Sequence, residues 1–594
     1  MAVLLAVVFL SLAMFSAVRS ELVARDVLAT ALYFVNWRFI AQSTDYFGGD
    51  DEISPVQHYW SLAIEEQFYL VWPALLLAAT WWWRRSGRPI RPALWAALMA
   101  LGAASLAYSI VYTAEMPSSA YFSTLTRAWE FALGGALALL VVRRIPRPAA
   151  DVLVGGGLIA IAIAVLTFNA STPFPGYAAL LPTLGTAAVI LGGTGGQPTL
   201  PGRLLTLRPV RYVGRISYSW YLWHWPAVIF AQEAWGPLST AETTLVVAAS
   251  GIPSAITYKW VEEPFRRSRI LIRRPARGLA LGSTCMCVGV LGAVLLLAAQ
   301  PTFETAPASQ VKGAAALSEQ KIPQRKAEAL RPAPPDAGKD RGRLYDDGCM
   351  VDPVDTRSGE CTYGDPDSKR TVVLFGDSHA MQYFPAIEPI AEKRKWRFVG
   401  LTKAGCPPID ASVWNPKLNR DYRECLDWRE YTLRRIENEE RPDLVIVSAA
   451  GYYNATEGGE KIGDKRRNRE VLREGYVAIL ERLRATGARV VMIKDLPHAP
   501  HDMPDCVAQS LDRLDECAFD KSEARNTGGF DARAAGQVEG VELVDVDPVI
   551  CPDDICRAVI GNAITYRGTN HLTATFTRTL APWFEHQLPK LEDR

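Results

Sequence analysis

The run Arg266-Arg267-Ser268-Arg269-Ile270-Leu271-Ile272-Arg273-Arg274-Pro275-Ala276-Arg277, followed by an uncharged apolar stretch over 279–299, decides how the rest of the chain is read. A basic flank leading into about twenty apolar residues is the pattern of a membrane-spanning helix whose first end faces the cytoplasm. Everything beyond Gln300 is therefore expected outside the membrane. The chain divides there into an apolar half and a polar half.

With 594 residues and 49% hydrophobic content, the sequence is too long for one ordinary domain and averages two unlike populations. A formal net charge of +1 gives no reason to expect a nucleic acid partner. Of the ten cysteines, Cys285 and Cys287 lie in the dividing helix, and the other eight all follow it. An even number in an exported segment points to disulfides. Spacing suggests the neighbour pairs Cys349–Cys361, Cys406–Cys425, Cys506–Cys517 and Cys551–Cys556, although spacing does not determine connectivity. Zinc is the competing reading, but no CxxC pair is repeated and histidine is scarce, so no metal site is expected.

Upstream, spanning candidates fall near 2–18, 60–82, 91–112, 119–142, 151–168, 178–196, 215–235 and 241–260, with 279–299 as the last. Their loops alternate in charge. Arg84, Arg85, Arg88 and Arg91, then Arg143, Arg144 and Arg147, then Arg208, Arg211 and Arg215 mark the cytoplasmic side, and the loops at 45–52, 116–119, 170–177 and 235–242 mark the other. The 23–41 run carries Arg25, Asp26, Asn36 and Arg38, which are costly at mid-bilayer, and reads as an outer interfacial helix. The first apolar run lacks a basic n-region and a cleavage site, so it is a poor signal peptide.

Several spans hold polar groups that an anchor does not need. Glu65 and Glu66 share a turn in Trp60-Ser61-Leu62-Ala63-Ile64-Glu65-Glu66-Gln67-Phe68-Tyr69-Leu70-Val71-Trp72-Pro73. Arg127 and Glu130 are one turn apart, and His224 lies inside Ser217-Tyr218-Ser219-Trp220-Tyr221-Leu222-Trp223-His224-Trp225-Pro226. Intramembrane ionisable groups are functional candidates because desolvating them is costly. Against that, Arg127 and Glu130 can neutralise each other, Glu65 and Glu66 can sit in interfacial water, and His224 can be a core histidine donating to a carbonyl.

These motifs, with Arg127-Ala128-Trp129-Glu130-Phe131 and Trp260-Val261-Glu262-Glu263-Pro264-Phe265, resemble the acyltransferase-3 membrane family of the OafA/YrhL-like kind, over nearly all of 1–270. The resemblance implies transfer of an acyl group, usually acetyl from acetyl-CoA or another acyl-CoA, onto a hydroxyl of an envelope carbohydrate, with no bound cofactor. The family's proposed histidine and its Arg-Arg-x-x-Arg motif belong upstream of the span matched by 2–18 and have no counterpart here. About two preceding spans are therefore expected to be missing from this chain.

Beyond the membrane half, 301–343 is rich in Ala, Pro, Lys and Glu and reads as a flexible linker. A β/α alternation follows, with strands near 371–375, 396–402, 444–448, 489–494 and 541–546 and helices near 380–395, 422–439, 468–485 and 573–587. This predicts a parallel-sheet, flavodoxin-like α/β domain over 344–594, with reactive groups at the carboxyl ends of strands.

Gly376-Asp377-Ser378-His379 sits at such an end, and His571 comes just before the last helix in Tyr566-Arg567-Gly568-Thr569-Asn570-His571-Leu572. The pair resembles the SGNH/GDSL hydrolase-like domain fused behind acyltransferase-3 proteins. That resemblance makes Ser378 the nucleophile and His571 the general base. It puts Gly405, in Lys403-Ala404-Gly405-Cys406-Pro407, and Asn454 in the oxyanion hole. One position departs from the family pattern: Gly568 stands where the family has the aspartate of Asp-x-x-His. The site then runs as a Ser–His dyad, borrows Asp547 or Asp553, or is inactive.

The reading expected from the sequence is a multi-pass membrane O-acyltransferase, with 1–300 as the acyltransferase domain and an extracytoplasmic α/β domain after the linker. Its partners are acyl-CoA, an envelope glycan and the lipid membrane. The alternatives are a membrane-tethered esterase, or a non-catalytic glycan-binding module on an anchor.

Overall fold

The structure, a computed structural model, describes all residues except 45–52, 86–89, 141–144, 170–171, 195–198, 320–323, 526–528 and 592–594. The loop expected at 45–52 and the basic positions Arg88, Arg143 and Arg144 lie outside the described residues. The chain forms two compact units, one built from the first 300 residues and the other mainly from Pro301–Arg594.

The first unit is helical. Among the described residues, four helices are long and apolar enough to cross a membrane: Gln57–Trp81, Ile90–Glu115, Arg147–Thr167 and Pro275–Ala298. Other expected spans are shorter or interrupted. The 119–142 candidate is two helices, Pro117–Phe122 and Ala128–Leu139. The 241–260 candidate passes from Thr240–Ala249 into Gly251–Thr257 and then a π-helical turn at Tyr258–Glu262. Apolar content alone does not reveal such breaks, because Ser and Thr at the junctions are compatible with either state.

The 23–41 interfacial helix is also corrected. It is two helices, Ala17–Ala31 and Val35–Thr44, separated by a reversal in which Tyr33 has φ of 54°. Its polar residues turn inward. Asp26 is buried and paired with Arg38, and Asn36 donates to Thr124 Oγ1 at 3.1 Å and the Phe122 carbonyl at 3.2 Å. Partnering removes most of the desolvation cost that made these residues look like a surface segment.

The second unit is built on a seven-stranded sheet. Its strands are β1 (Met350–Val351), β2 (Thr362–Gly364), β3 (Thr371–Gly376), β4 (Arg397–Lys403), β5 (Leu444–Ser448), β6 (Arg489–Ile493) and β7 (Val541–Val544). The order is β7-β6-β5-β3-β4-β1, all parallel, with β2 added antiparallel to β4. Val372, Val373, Leu374 and Phe375 are fully buried, which is why β3 reads as a continuous apolar run and not an alternating one. Strand order reverses at β3, the place where an open parallel sheet leaves a crevice at its carboxyl edge.

All four neighbour disulfides form: Cys349–Cys361, Cys406–Cys425, Cys506–Cys517 and Cys551–Cys556. The first joins the residue before β1 to the residue before β2. The 301–343 linker reading is overturned for the described residues. Glu304–Thr305 pairs with Ala329–Leu330, the Lys312 and Gly313 N–H groups donate to the Gly561 carbonyl at 2.9 and 3.0 Å, and Ala306, Leu330 and Ala337 are buried. A segment rich in Ala and Pro can wrap a domain as readily as tether it, since both residues bury with little loss of side-chain entropy.

Candidate active site

Strand β3 ends at Gly376, whose neighbours across the ladder are Thr402 on β4 and Ser448 on β5. Only glycine fits there, because a Cβ would lie 1.9 Å from the Ser448 carbonyl oxygen. This close approach delivers Asp377 and Ser378 to the crevice. Asp377 caps the short helix Ser378–Met381 by accepting from the His379 N–H at 2.7 Å. Its other oxygen accepts from the Ala450 N–H at 3.0 Å and from the Tyr453 hydroxyl. Burial raises the Asp377 pKa while His379 and these donors oppose it, so the residue ties the β3 turn to the loop after β5 instead of meeting solvent.

His571 reaches the same spot on a closed loop. The Arg567 N–H donates to the His571 carbonyl at 2.9 Å, and the Ala499 N–H donates to the Thr569 carbonyl at 2.7 Å. Gln382, one turn beyond Ser378, accepts from the Leu572 N–H at 2.8 Å and fixes the two segments together. His571 Nε2 is then 2.9 Å from Ser378 Oγ, with both residues buried. Burial, followed by the charges of Arg567, His379, His498 and Arg341, holds His571 well below the ordinary imidazole pKa. A neutral Nε2 facing a serine hydroxyl is the arrangement of a general base and its nucleophile.

The Nδ1 side of His571 differs from both aspartates named from the sequence. It faces Asn570 Oδ1 at 2.7 Å. Asp547 is engaged by Lys494 at 2.6 Å, and Asp553 is exposed. Neither is hydrogen-bonded to His571, because their positions fall in the Asp547–Ile550 helix and the turn after it, whose partners are lysines and backbone. Gly405 lies two residues past β4 at the same carboxyl edge, with φ of 59°, and its N–H has no acceptor among the described residues. Asn454 is exposed and contributes its backbone carbonyl to Trp414 N–H at 2.8 Å, with no hydrogen bond to Ser378 or His571.

Sequence reasoning missed a second polar group beside the pair. His379 Nδ1 is 2.7 Å from Asp495 Oδ1, His498 Nε2 is 3.1 Å from Asp495 Oδ2, and the Gly451 N–H donates to Asp495 at 2.6 Å. The His379 ring lies 4.5 Å from that of His571. Burial pushes the Asp495 carboxyl up, but His379 and His498 more than offset this and leave it well below the usual carboxylate range. The donor atoms of His379, Asp495 and His498 lie within 4.8 Å of one another, close enough to hold a metal ion. The His379–Asp495 hydrogen bond and the His498–Asp495 ion-pair contact account for the same grouping without one. The signal was present as Asp495-Leu496-Pro497-His498, immediately after β6.

In the helical unit, Arg127 and Glu130 form an ion pair at 3.2 Å, and the guanidinium lies 4.8 Å from the Phe174 ring centre and 5.3 Å from those of Trp60 and Tyr121. His224 Nδ1 contacts the Tyr221 carbonyl at 2.7 Å, as a core histidine does. Glu65 is half-buried and Glu66 exposed, without a hydrogen-bond or ion-pair partner among the described residues. Two neighbouring side chains, Gln67 and His58, carry no signal in the sequence. Gln67 donates to Asn36 Oδ1 at 2.9 Å and the Tyr33 carbonyl at 2.8 Å, and accepts from Thr124 Oγ1 at 2.6 Å and Trp37 Nε1 at 3.2 Å. His58 is buried, with Nε2 3.1 Å from the Leu222 carbonyl and its ring 5.8 Å from His224.

Comparison with known proteins assigns both units. Residues 2–261 match the acyltransferase domain of the acyltransferase-3 kind, and residues 346–586 match the SGNH domain that is found fused to it. The chain thus carries an acyltransferase domain followed by an SGNH domain of the kind fused to it. Among curated relatives, YrhL of Bacillus subtilis is 31% identical over 253 residues, 41% of this chain and 39% of that protein. The peptidoglycan O-acetyltransferase OatA of Listeria monocytogenes is 30% identical over 257 residues, 41% of this chain and 40% of that one. The chain thus spans about two fifths of the length of the curated relatives it matches. The periplasmic domain of a lipopolysaccharide acetyltransferase from Salmonella ser. Paratyphi A gives a TM-score of 0.28 at 15% identity, over 36% of this chain and 81% of that one.

Proposed function

We propose that the protein is a membrane O-acyltransferase that moves an acyl group, acetyl by analogy with the Listeria relative, from acyl-CoA to hydroxyls of a cell-envelope glycan. The observation that carries this reading is the 2.9 Å contact between Ser378 Oγ and His571 Nε2 at the carboxyl edge of the sheet. The helical unit takes the acyl group from acyl-CoA and passes it on as an ester or thioester; Ser378 Oγ attacks that carbonyl while His571 takes its proton, and the alcohol or thiol that held the acyl group leaves with that proton. A glycan hydroxyl then attacks the acyl-serine, His571 accepts the hydroxyl proton, and Ser378 is regenerated as the glycan ester forms. The free Gly405 N–H is suited to the oxyanion of both steps.

An extracytoplasmic place for the α/β unit is supported by its four disulfides, which persist in oxidising compartments. On the donor side, Glu65 and Glu66 are the ionisable candidates whose charge is not already matched, whereas Arg127 and Glu130 match each other. The test is the O-acetyl content of envelope glycan in cells carrying Ser378→Ala in place of the native protein. Loss of the ester is expected. Unchanged acylation would remove the α/β unit from the transfer and leave it a binding module.

A further inference from the structure

Asn570 stands between two partners. Its Oδ1 is 2.7 Å from His571 Nδ1, and its Nδ2 donates to the Tyr452 hydroxyl at 3.4 Å. The amide turns Oδ1 to the ring and Nδ2 to the Tyr452 hydroxyl, and the group that faces Nδ1 sets the tautomer of the histidine. With Oδ1 toward the ring, His571 carries its proton on Nδ1 and presents a bare Nε2 to Ser378 Oγ. The opposite amide orientation would place an N–H against Nδ1 and force the proton onto Nε2, where it could not accept from serine. We propose that Asn570 is the positioning residue of the general base, taking over the tautomer-fixing role of the carboxylate that Gly568 lacks. The proposal rests on the reading of Ser378 as nucleophile and His571 as base.

The loop explains why the carboxylate is not at 568. A Cβ built on Gly568 would lie 3.8 Å from Asp502 Oδ2, so an aspartate there would crowd a like charge. An amide one residue before the histidine reaches the same nitrogen without adding charge. Asn in this role fixes geometry but supplies little stabilisation to the imidazolium, and this difference can be measured.

The groups that bear on the titration of His571 are Arg567 on its own loop, Arg341, and His379 and His498 at the carboxyl edge, with Asp495 and Asp377 next to His379. The cations lower its pKa. A carboxylate at 570 would raise it, so the acid limb of the rate profile should move to higher pH.

The experiment uses the full chain in detergent with p-nitrophenyl acetate as probe, following p-nitrophenol release against pH for the wild type and for Ser378→Ala, Asn570→Ala and Asn570→Asp. Asn570→Ala is expected to lower kcat by about tenfold to a hundredfold with KM little changed. Asn570→Asp should recover turnover and move the acid limb up by about one pH unit or more. If Ser378→Ala matches the wild type, the nucleophile reading itself fails. If Ser378→Ala is inactive while Asn570→Ala stays within about twofold of wild type, the positioning role is overturned and the nucleophile stands. Should Asn570→Ala not fold, an acid limb unmoved in Asn570→Asp overturns the proposal on its own.

Discussion

The two units treat buried polarity in opposite ways. At the carboxyl edge of the sheet, Ser378, His571 and Asn570 form an unbroken line of contacts at 2.9 and 2.7 Å, and the neighbouring carboxylates Asp377 and Asp495 are both held by several donors. In the helical unit, the well-connected polar groups are Gln67, Asn36 and the Arg127–Glu130 pair, which join helices to one another. The carboxylates Glu65 and Glu66 stay outside that network. One unit carries a serine and a histidine already in contact, while the other uses Gln67, Asn36 and the Arg127–Glu130 pair as glue and leaves Glu65 and Glu66 without a partner among the described residues.

The strongest way to break this contrast is at the pair itself. Ser378→Ala or His571→Ala should lower turnover of a small ester by about a thousandfold or more, measured on the full chain. Because burial and its cationic neighbours lower the pKa of His571, the base stays neutral below the ordinary imidazole pKa of 6.5. Activity should therefore hold as pH falls through 6.5 and decline only at lower values, as a pH profile of kcat/KM would show. The same shift destabilises the fold in acid, since the unfolded state takes up a proton that the folded state resists.

Next in size is Lys403, fully buried at the end of β4, whose ammonium donates to the carbonyls of Asp352 at 2.6 Å, Pro353 at 3.0 Å and Asp355. Lys403→Met would leave these acceptors unpaired. It should cost about 2–4 kcal/mol, seen as a lower urea midpoint and faster hydrogen exchange in 350–356.

The contrast sharpens if the units can be separated functionally. Glu65→Gln combined with Glu66→Gln should lower glycan acylation in cells by about tenfold while small-ester turnover at Ser378 is unchanged. A fall in both would mean that the two units do not divide the work. The smallest effect expected is Gln67→Ala, about 1 kcal/mol of helical-unit stability with donor use intact, read from thermal unfolding in detergent.

Much of this arrangement could be read from residues alone, for identifiable reasons. Strands β3 and β5 were legible because burial on both faces makes them unbroken apolar runs. Strands β1 and β2 were not, since two or three residues carry no period, although the cysteines flanking them hinted at an edge stapled in place. Ser378 and His571 are legible as a pair because a strand-end serine and a late histidine follow the order of the family the sequence resembles, and the fold brings them within 2.9 Å. Asn570 is not legible in the sequence because an orienting group for histidine is expected to carry charge, which points to Asp547 and Asp553 instead. Gln67 and His58 sat inside or beside a motif already quoted, yet both went unmarked because uncharged side chains were not weighed as network hubs. The 301–343 segment was misread because Ala and Pro describe a chain that loses little entropy on docking as well as one that never docks.

The measurement that bears most directly on the central claim is mass spectrometry of the Ser378 peptide, from full-length protein quenched in acid while its membranes are acylating glycan. The account predicts an acyl adduct on Ser378 that is absent from His571→Ala and accumulates when acceptor glycan is withheld. Glycan acylated at the normal rate with Ser378 unmodified throughout would contradict it.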